Sequence, residues 1–305
     1  MDELYQQLGE QTSNTHGLMA TTQVAKLDDH GAILMPSGIT HVFVEIGCNN
    51  RDTLDEQILE NKAAYAHSRR GFLISFEPLI EKYAGLLVRA GPRFFGRLSR
   101  DRSLPLGHHH PYGVVLPFAV APSAGQKVFS VSQVAGCSSI MPTSNSSFAN
   151  FCMAQREERT VPAINLSSAI ALAGRRPIRF LKIDAQGVDF DIVRATPKHQ
   201  LANIQSLQLE LWRDSDHCRG RAVYGARWTC SEVVAYMRQV GFRLAGHASD
   251  TRPSQANNLR LIRRSLCEDV ANHSSQLCEW NAIFANIEGK HKPLDDNELV
   301  LLPNN

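Results

Sequence analysis

The chain has 305 residues, 43% hydrophobic and 20% charged, a balance that belongs to a folded globular protein and excludes a disordered one. Its 32 Lys and Arg stand against 30 Asp and Glu, leaving a formal net charge of +2. That excludes a protein that coats nucleic acid or an anionic membrane through bulk charge.

The N-terminus reads Met-Asp-Glu-Leu-Tyr and is acidic and polar. It has neither a basic n-region nor an apolar h-region, so no secretory signal is expected. No run reaches the roughly 20 apolar residues of a membrane span, so no membrane partner is expected. Residues 1–40 are weakly patterned and read as a partly helical lead-in. From 41 onwards, short apolar runs alternate with longer amphipathic stretches, the pattern of βαβ units and a mostly parallel sheet. Strands are predicted over 41–46, 72–76, 113–120, 178–184, 204–211 and 242–246, with a closing strand over 280–287 and a short extra one over 127–132. Helices are predicted over 53–69, where Leu54, Ile58, Leu59, Ala63 and Ala66 recur at helical spacing, and over 80–90, 190–195 and 231–240. The main domain therefore spans 41–290, with 291–305 as a tail. The seven cysteines, at 48, 137, 152, 218, 230, 267 and 278, are odd in number and lack CxxC spacing. They suggest neither a disulfide framework nor a zinc site; reduced thiols in a cytoplasmic protein are the expectation.

Open parallel sheets bind ligands at the carboxyl ends of their strands, and three features fall there. The first strand ends in Glu45-Ile46-Gly47-Cys48-Asn49. A glycine turn lets backbone approach a ligand, and the acid two residues earlier can hold a cationic or amine-bearing group; a plain strand-turn-helix reads equally well. This is not G-x-G-x-x-G, which weighs against a nicotinamide-dependent oxidoreductase. Glu77 ends the second strand before Pro78, where a carboxylate can take both ribose hydroxyls or merely cap the next helix. In Lys182-Ile183-Asp184-Ala185-Gln186-Gly187, Asp184 and Gln186 reach the strand exit. Asp184 there is a general base, a metal ligand, a positioning acceptor or a helix cap.

In order and spacing, these segments resemble the FkbM-type family of S-adenosylmethionine-dependent methyltransferases over roughly 40–290. The resemblance rests on Val42-Phe43-Val44-Glu45-Ile46-Gly47-Cys48-Asn49, Ser75-Phe76-Glu77-Pro78, Gly136-Cys137-Ser138-Ser139-Ile140, the run from Phe180 to Asp189, and Leu207-Gln208-Leu209-Glu210. It implies an α/β, Rossmann-like class I methyltransferase fold: a seven-stranded, mostly parallel sheet with helices on both faces and an antiparallel last strand. It implies S-adenosyl-L-methionine as cofactor, with Glu45, Gly47, Cys48, Asn49 and Arg51 at its methionine end. Glu77 and Pro78 would lie at the ribose, and Phe118 and Ala119 at the adenine. Asp184 and Gln186 would stand beside the transferred methyl. The chain departs from the family in having Arg51 where a second glycine often stands, Gln186 where Glu is common, and Ser167 where an Asp often follows Leu.

Methyl transfer is an in-line displacement, so catalysis is largely alignment, and a hydroxyl acceptor gains from a base. Asp184 is the first candidate base and Glu210, at the next strand end, the second; Gln186 can orient the acceptor but not deprotonate it. The expected function is O-methylation of a small-molecule or sugar hydroxyl. The alternative is a catalytically silent cofactor-binding or scaffold protein of the same fold. Two arginine groups (89, 93, 97, 100, 102 and 213, 219, 221, 227) are either solvated surface or a mouth for an anionic acceptor. Trp212 and Trp228 flank the second group as core or as an acceptor wall. His108-His109-His110 reads as a solvated loop, so no metal is expected. Cys137 has no companion that would make it a nucleophile.

Overall fold

The computed structural model describes residues 11–15, 18–22, 25–49, 70–87, 113–134, 136–142, 152, 156–212, 214, 216–219, 222, 224, 227–248, 267 and 278–288. Arg51, the predicted helix over 53–69, the first arginine group and His108 to His110 lie outside these. Among the described residues of the lead-in there is no helix. Instead β1 (Gln11–Thr15) and β2 (Leu18–Thr22) pair antiparallel.

The main sheet begins with β3 (His41–Ile46) and β4 (Gly71–Phe76), each buried along its whole length. Runs such as Val42-Phe43-Val44 and Phe72-Leu73-Ile74 suit strands covered on both faces. Helix α1 (Ile80–Leu87) leads toward β5 (Gly113–Leu116). The single strand predicted over 113–120 is broken at Pro117, which has no N–H to give a ladder. Beyond it, β6 (Ala119–Ala121) joins a separate three-stranded sheet with β7 (Gly125–Ser132) and β8 (Arg156–Asn165), in the order β6-β8-β7. Asn165 then caps α2 (Leu166–Ala171), its side chain accepting from the Ser168 N–H at 2.9 Å, which satisfies an otherwise orphaned helix donor.

The main sheet resumes at β9 (Ile178–Ile183), followed by α3 (Asp189–Arg194), α4 (Lys198–Leu201), β10 (Ser206–Trp212) and α5 (Asp216–Arg219). Helix α6 (Cys230–Gln239) opens on a capping box. The Thr229 hydroxyl accepts from the Glu232 N–H, and the Glu232 carboxylate accepts from the Thr229 N–H. Strands β11 (Phe242–Ala248) and β12 (Glu279–Asn286) complete a seven-stranded α/β sheet of order β11-β12-β10-β9-β3-β4-β5. The neighbours from β10 through β5 run parallel, and β12 runs antiparallel to both β10 and β11. Val42, Val44, Ile46, Phe76, Leu181, Leu209 and Phe284 are among the side chains of the continuous core. No helix among the described residues is long and apolar enough to cross a membrane.

The cysteines depart from the sequence expectation. Cys137–Cys152, Cys218–Cys278 and Cys230–Cys267 are disulfides, and Cys48 is buried and outside them. The pairs are 15, 60 and 37 residues apart, and such separations leave no short motif. Only the fold brings the partners together.

Candidate functional site

Strand β3 has β4 on one side and β9 on the other, so the direction of winding reverses there, and a crevice opens beyond the carboxyl ends of such strands. The crevice holds about 680 Å³ of space open to solvent. The tip of β3 gives it Gly47 and Asn49, the tip of β4 gives Glu77 and Pro78, Phe118 and Ala119 flank it, and Asp184 and Gln186 come from beyond β9. These eight residues from four separate stretches of sequence share one cavity.

Gly47 has φ +84°, and a Cβ built on it would run into the Asp184 carbonyl oxygen. Only glycine lets the two strand exits approach so closely. Asn49 is also left-handed, at φ 58°, and its N–H donates to Glu77 Oε2 at 2.7 Å. The Leu79 N–H donates to Glu77 Oε1 at 2.9 Å. Glu77 is thus locked at the crevice floor, only 3% exposed. Burial pushes its carboxyl up to about 7, against the two backbone donors and the charge of Lys82, which pull it down.

Asp184 is the more open acid, with its side chain 31% exposed. The Gln186 amide donates to its Oδ1 at 2.8 Å, and Lys182 Nζ lies 3.5 Å from Oδ2. Gln186 is held in a left-handed conformation, φ 54°, with its carbonyl accepting from the Ser139 hydroxyl at 2.6 Å. The Gly136 to Ser139 loop, legible in the sequence either as a ligand loop or as a plain turn, therefore braces the crevice. Gly136, Ser138 and Ile140 line it, and the Cys137–Cys152 disulfide ties the loop down.

Three expected site residues lie elsewhere. Glu45 is fully buried and its Oε1 lies 3.2 Å from Lys182 Nζ, away from the crevice lining. Side chains alternate along a strand, and Ile46 takes the crevice side while Glu45 sits opposite, in register with Lys182. Burial works against the Lys182 ammonium, but the Glu45 and Asp184 charges outweigh it and hold the amine above its ordinary range. Cys48 packs beside Tyr83, Leu86 and Val115, its thiol donating to the Phe76 carbonyl, and does not line the crevice. Glu210 opens onto a different cavity, together with Asp189, Trp212 and Trp228. The sequence motifs include Lys182 and Asp189 but assign neither a role in the site. The signal for Lys182 was strand register with Glu45, which pairing alone reveals.

The crevice can take hydroxyl donors and positive charge beside apolar surface. It joins a buried carboxylate at one strand tip, a part-exposed carboxylate at another, close-approaching backbone at Gly47, and apolar walls from Phe118, Val120 and Ile140. Among the described residues no group of three His, Cys, Asp or Glu side chains is placed to hold a metal ion.

No curated protein matches the chain. The family model described as the methyltransferase FkbM domain matches residues 45–244, a stretch that runs from the tip of β3 into β11 and contains the whole crevice. By that match over well over half its length, the chain belongs to the FkbM methyltransferase family.

Proposed function

We propose that the chain binds S-adenosyl-L-methionine in the crevice across the tips of β3, β4 and β9 and methylates a hydroxyl of a small molecule. On this reading the fold is the Rossmann-like class I arrangement with helices on both sheet faces. The observation that carries it is the pairing of a locked, buried Glu77 with an open Asp184 on one crevice. When bound, the cofactor supplies an electrophilic methyl group on a sulfonium.

The protein's own residues would do the rest. Glu77 accepts from the ribose hydroxyls through lone pairs that its two backbone donors leave open. Phe118 and Ala119 exclude water around the base. Gly47 and Asn49 bring backbone close to the amino-acid end. Asp184 takes the acceptor's proton, and Gln186 and Lys182 fix the position of its carboxylate. The three disulfides support residence in an oxidising compartment rather than the cytoplasm.

Calorimetry tests the reading. S-adenosylmethionine and S-adenosylhomocysteine should bind at micromolar concentration, and Glu77→Ala should weaken both by at least about tenfold. Binding of a nicotinamide dinucleotide in their place would refute it. Asp184→Asn should spare cofactor affinity and cut turnover by about 100-fold or more.

A further inference from the structure

Beside the cofactor crevice lies a broader hollow, with about 1180 Å³ open to solvent. Ile140 and Val188 line both, so the two meet along that edge. The small sheet gives the hollow one side: Pro122 and Ser123 follow β6, and Lys127 and Val128 lie on β7. Helix α3 adds Asp191 and Arg194, and Arg227 stands with them.

The charges of this hollow are one-sided. Lys127, Arg194 and Arg227 stand against one carboxylate, Asp191. That carboxylate is already engaged. Its Oδ1 accepts from the Trp228 indole N–H at 2.9 Å, and its Oδ2 lies 3.9 Å from an Arg227 nitrogen, too far for a hydrogen bond. The Arg194 guanidinium stacks 4.4 Å over the Trp228 ring, and the described residues give it no carboxylate partner. Stacking holds the guanidinium plane and leaves its N–H edge able to donate. The Lys127 ammonium donates to the Ser123 hydroxyl at 2.8 Å, which uses one of its three N–H bonds. Lysine and arginine are cations at any ordinary pH, so the positive excess rests on no titration. Apolar surface completes the hollow, from Val128, which is 59% exposed, and from Ile140, Met141 and Val188.

We propose that this hollow recognises the methyl acceptor through a carboxylate or phosphate group carried on an apolar body. The oxyanion would lie among Lys127, Arg194 and Arg227, and the body over Val128, Met141 and Ile140. The hydroxyl to be methylated would reach past Ile140 and Val188 toward Asp184. The proposal rests on the methyltransferase reading above and deepens it. Guanidinium groups take oxyanions through paired, charge-assisted N–H bonds. A neutral head group forgoes the charge, and an ammonium is repelled. The same positive excess disfavours the sulfonium cofactor, so the two adjoining hollows sort two ligands by charge. Of the arginines that follow β10 in the sequence, Arg227 lines the hollow. Lys127 and Arg194 belong to neither arginine group, and only the fold brings them to it.

Ligand-observed NMR titration of the full chain, with S-adenosylhomocysteine present, tests this. The probes share one chain and differ in head group: octanoate, octyl phosphate, octanol and octylamine, with inorganic phosphate alone beside them. Octanoate or octyl phosphate should bind saturably, at least about tenfold tighter than octanol, octylamine or inorganic phosphate. The tighter of the two identifies the oxyanion. Arg194→Gln and Lys127→Met should each weaken it about fivefold or more. Arg238→Gln, which removes an equal charge from α6, should leave it unchanged, and the calorimetric affinity for S-adenosylhomocysteine should hold in all three variants. The head-group comparison needs no variant, so it stands if a substitution fails to fold. No saturable binding of either anion, octanol binding as tightly, or equal losses in Arg194→Gln and Arg238→Gln would overturn the proposal. So would cosedimentation with vesicles of phosphatidylcholine and phosphatidylglycerol where neither soluble anion binds, which would make the hollow part of a membrane-facing surface. Anion binding that persists where the nucleoside does not bind would instead overturn the methyl-transfer reading and, with it, the acceptor role of this hollow.

Discussion

Glu77 shows how burial turns one residue into a pH sensor. Its carboxyl titrates near 4.5 when exposed and near 7 when folded. Between those values the folded state holds a proton that the unfolded state has lost, so the Glu77 contribution to stability falls as pH rises through the window. It is then constant above about pH 7, where both states are ionised. Denaturant unfolding of wild type and Glu77→Gln at about pH 5 and pH 7.5 should show the variant gaining relative stability at the higher pH, up to about 3 kcal/mol. An unchanged difference would mean that Glu77 is ionised throughout. At the same scale, strand-end position was enough to bring Glu77, Asp184 and Gln186 to one crevice from sequence alone. It misled at Glu45, because the residue that precedes a strand's last position points to the opposite face. There Lys182, its register partner on β9, holds it.

Most strands of the main sheet were legible in the sequence because they are covered on both sides, while β7 was legible although half-exposed. Apolar runs in β3, β4, β9 and β10 have no solvent face to interrupt them. Strand β8 stayed hidden because it begins Arg156-Glu157-Glu158-Arg159 and lies in a small sheet with exposed residues. Its charge is spent locally, Arg159 bonding Glu157 at 2.7 Å and Glu81 on α1 at 2.8 Å. Such exposed pairs contribute little to stability, so nothing in β8 announces its own fold. The turns between elements are stricter. Gly38 and Gly47 are both left-handed, at φ +94° and +84°, but a Cβ on Gly38 meets nothing within 4 Å, whereas on Gly47 it meets the Asp184 carbonyl. Gly38→Ala should therefore cost only about 1–2 kcal/mol of conformational strain. Gly47→Ala should cost more and should also weaken nucleoside binding, because β3 and β9 must part. Thermal unfolding together with calorimetry of the two variants checks this. Equal losses would show that the close approach at Gly47 is dispensable.

Across the whole molecule, cross-links tie late segments to the sheet: Cys218–Cys278 reaches the start of β12, and Cys230–Cys267 anchors the start of α6. Alkylation of denatured, unreduced protein should label one cysteine, Cys48, and all seven after reduction. Reduction should also lower the melting temperature, each link being worth about 3–4 kcal/mol. Seven reactive thiols without reduction would return the chain to the thiol state expected from cysteine spacing. That spacing misled because the links join residues that only the folded sheet makes neighbours. The placing of β12 has a further consequence for biosynthesis. It threads between β10 and β11, both made earlier, and among the described residues is β11's sole neighbour in the sheet. A nascent or truncated chain ending before 279 would present two bare ladder edges at once, the surface on which aggregation starts. The molecule is therefore most vulnerable just before its final strand leaves the ribosome.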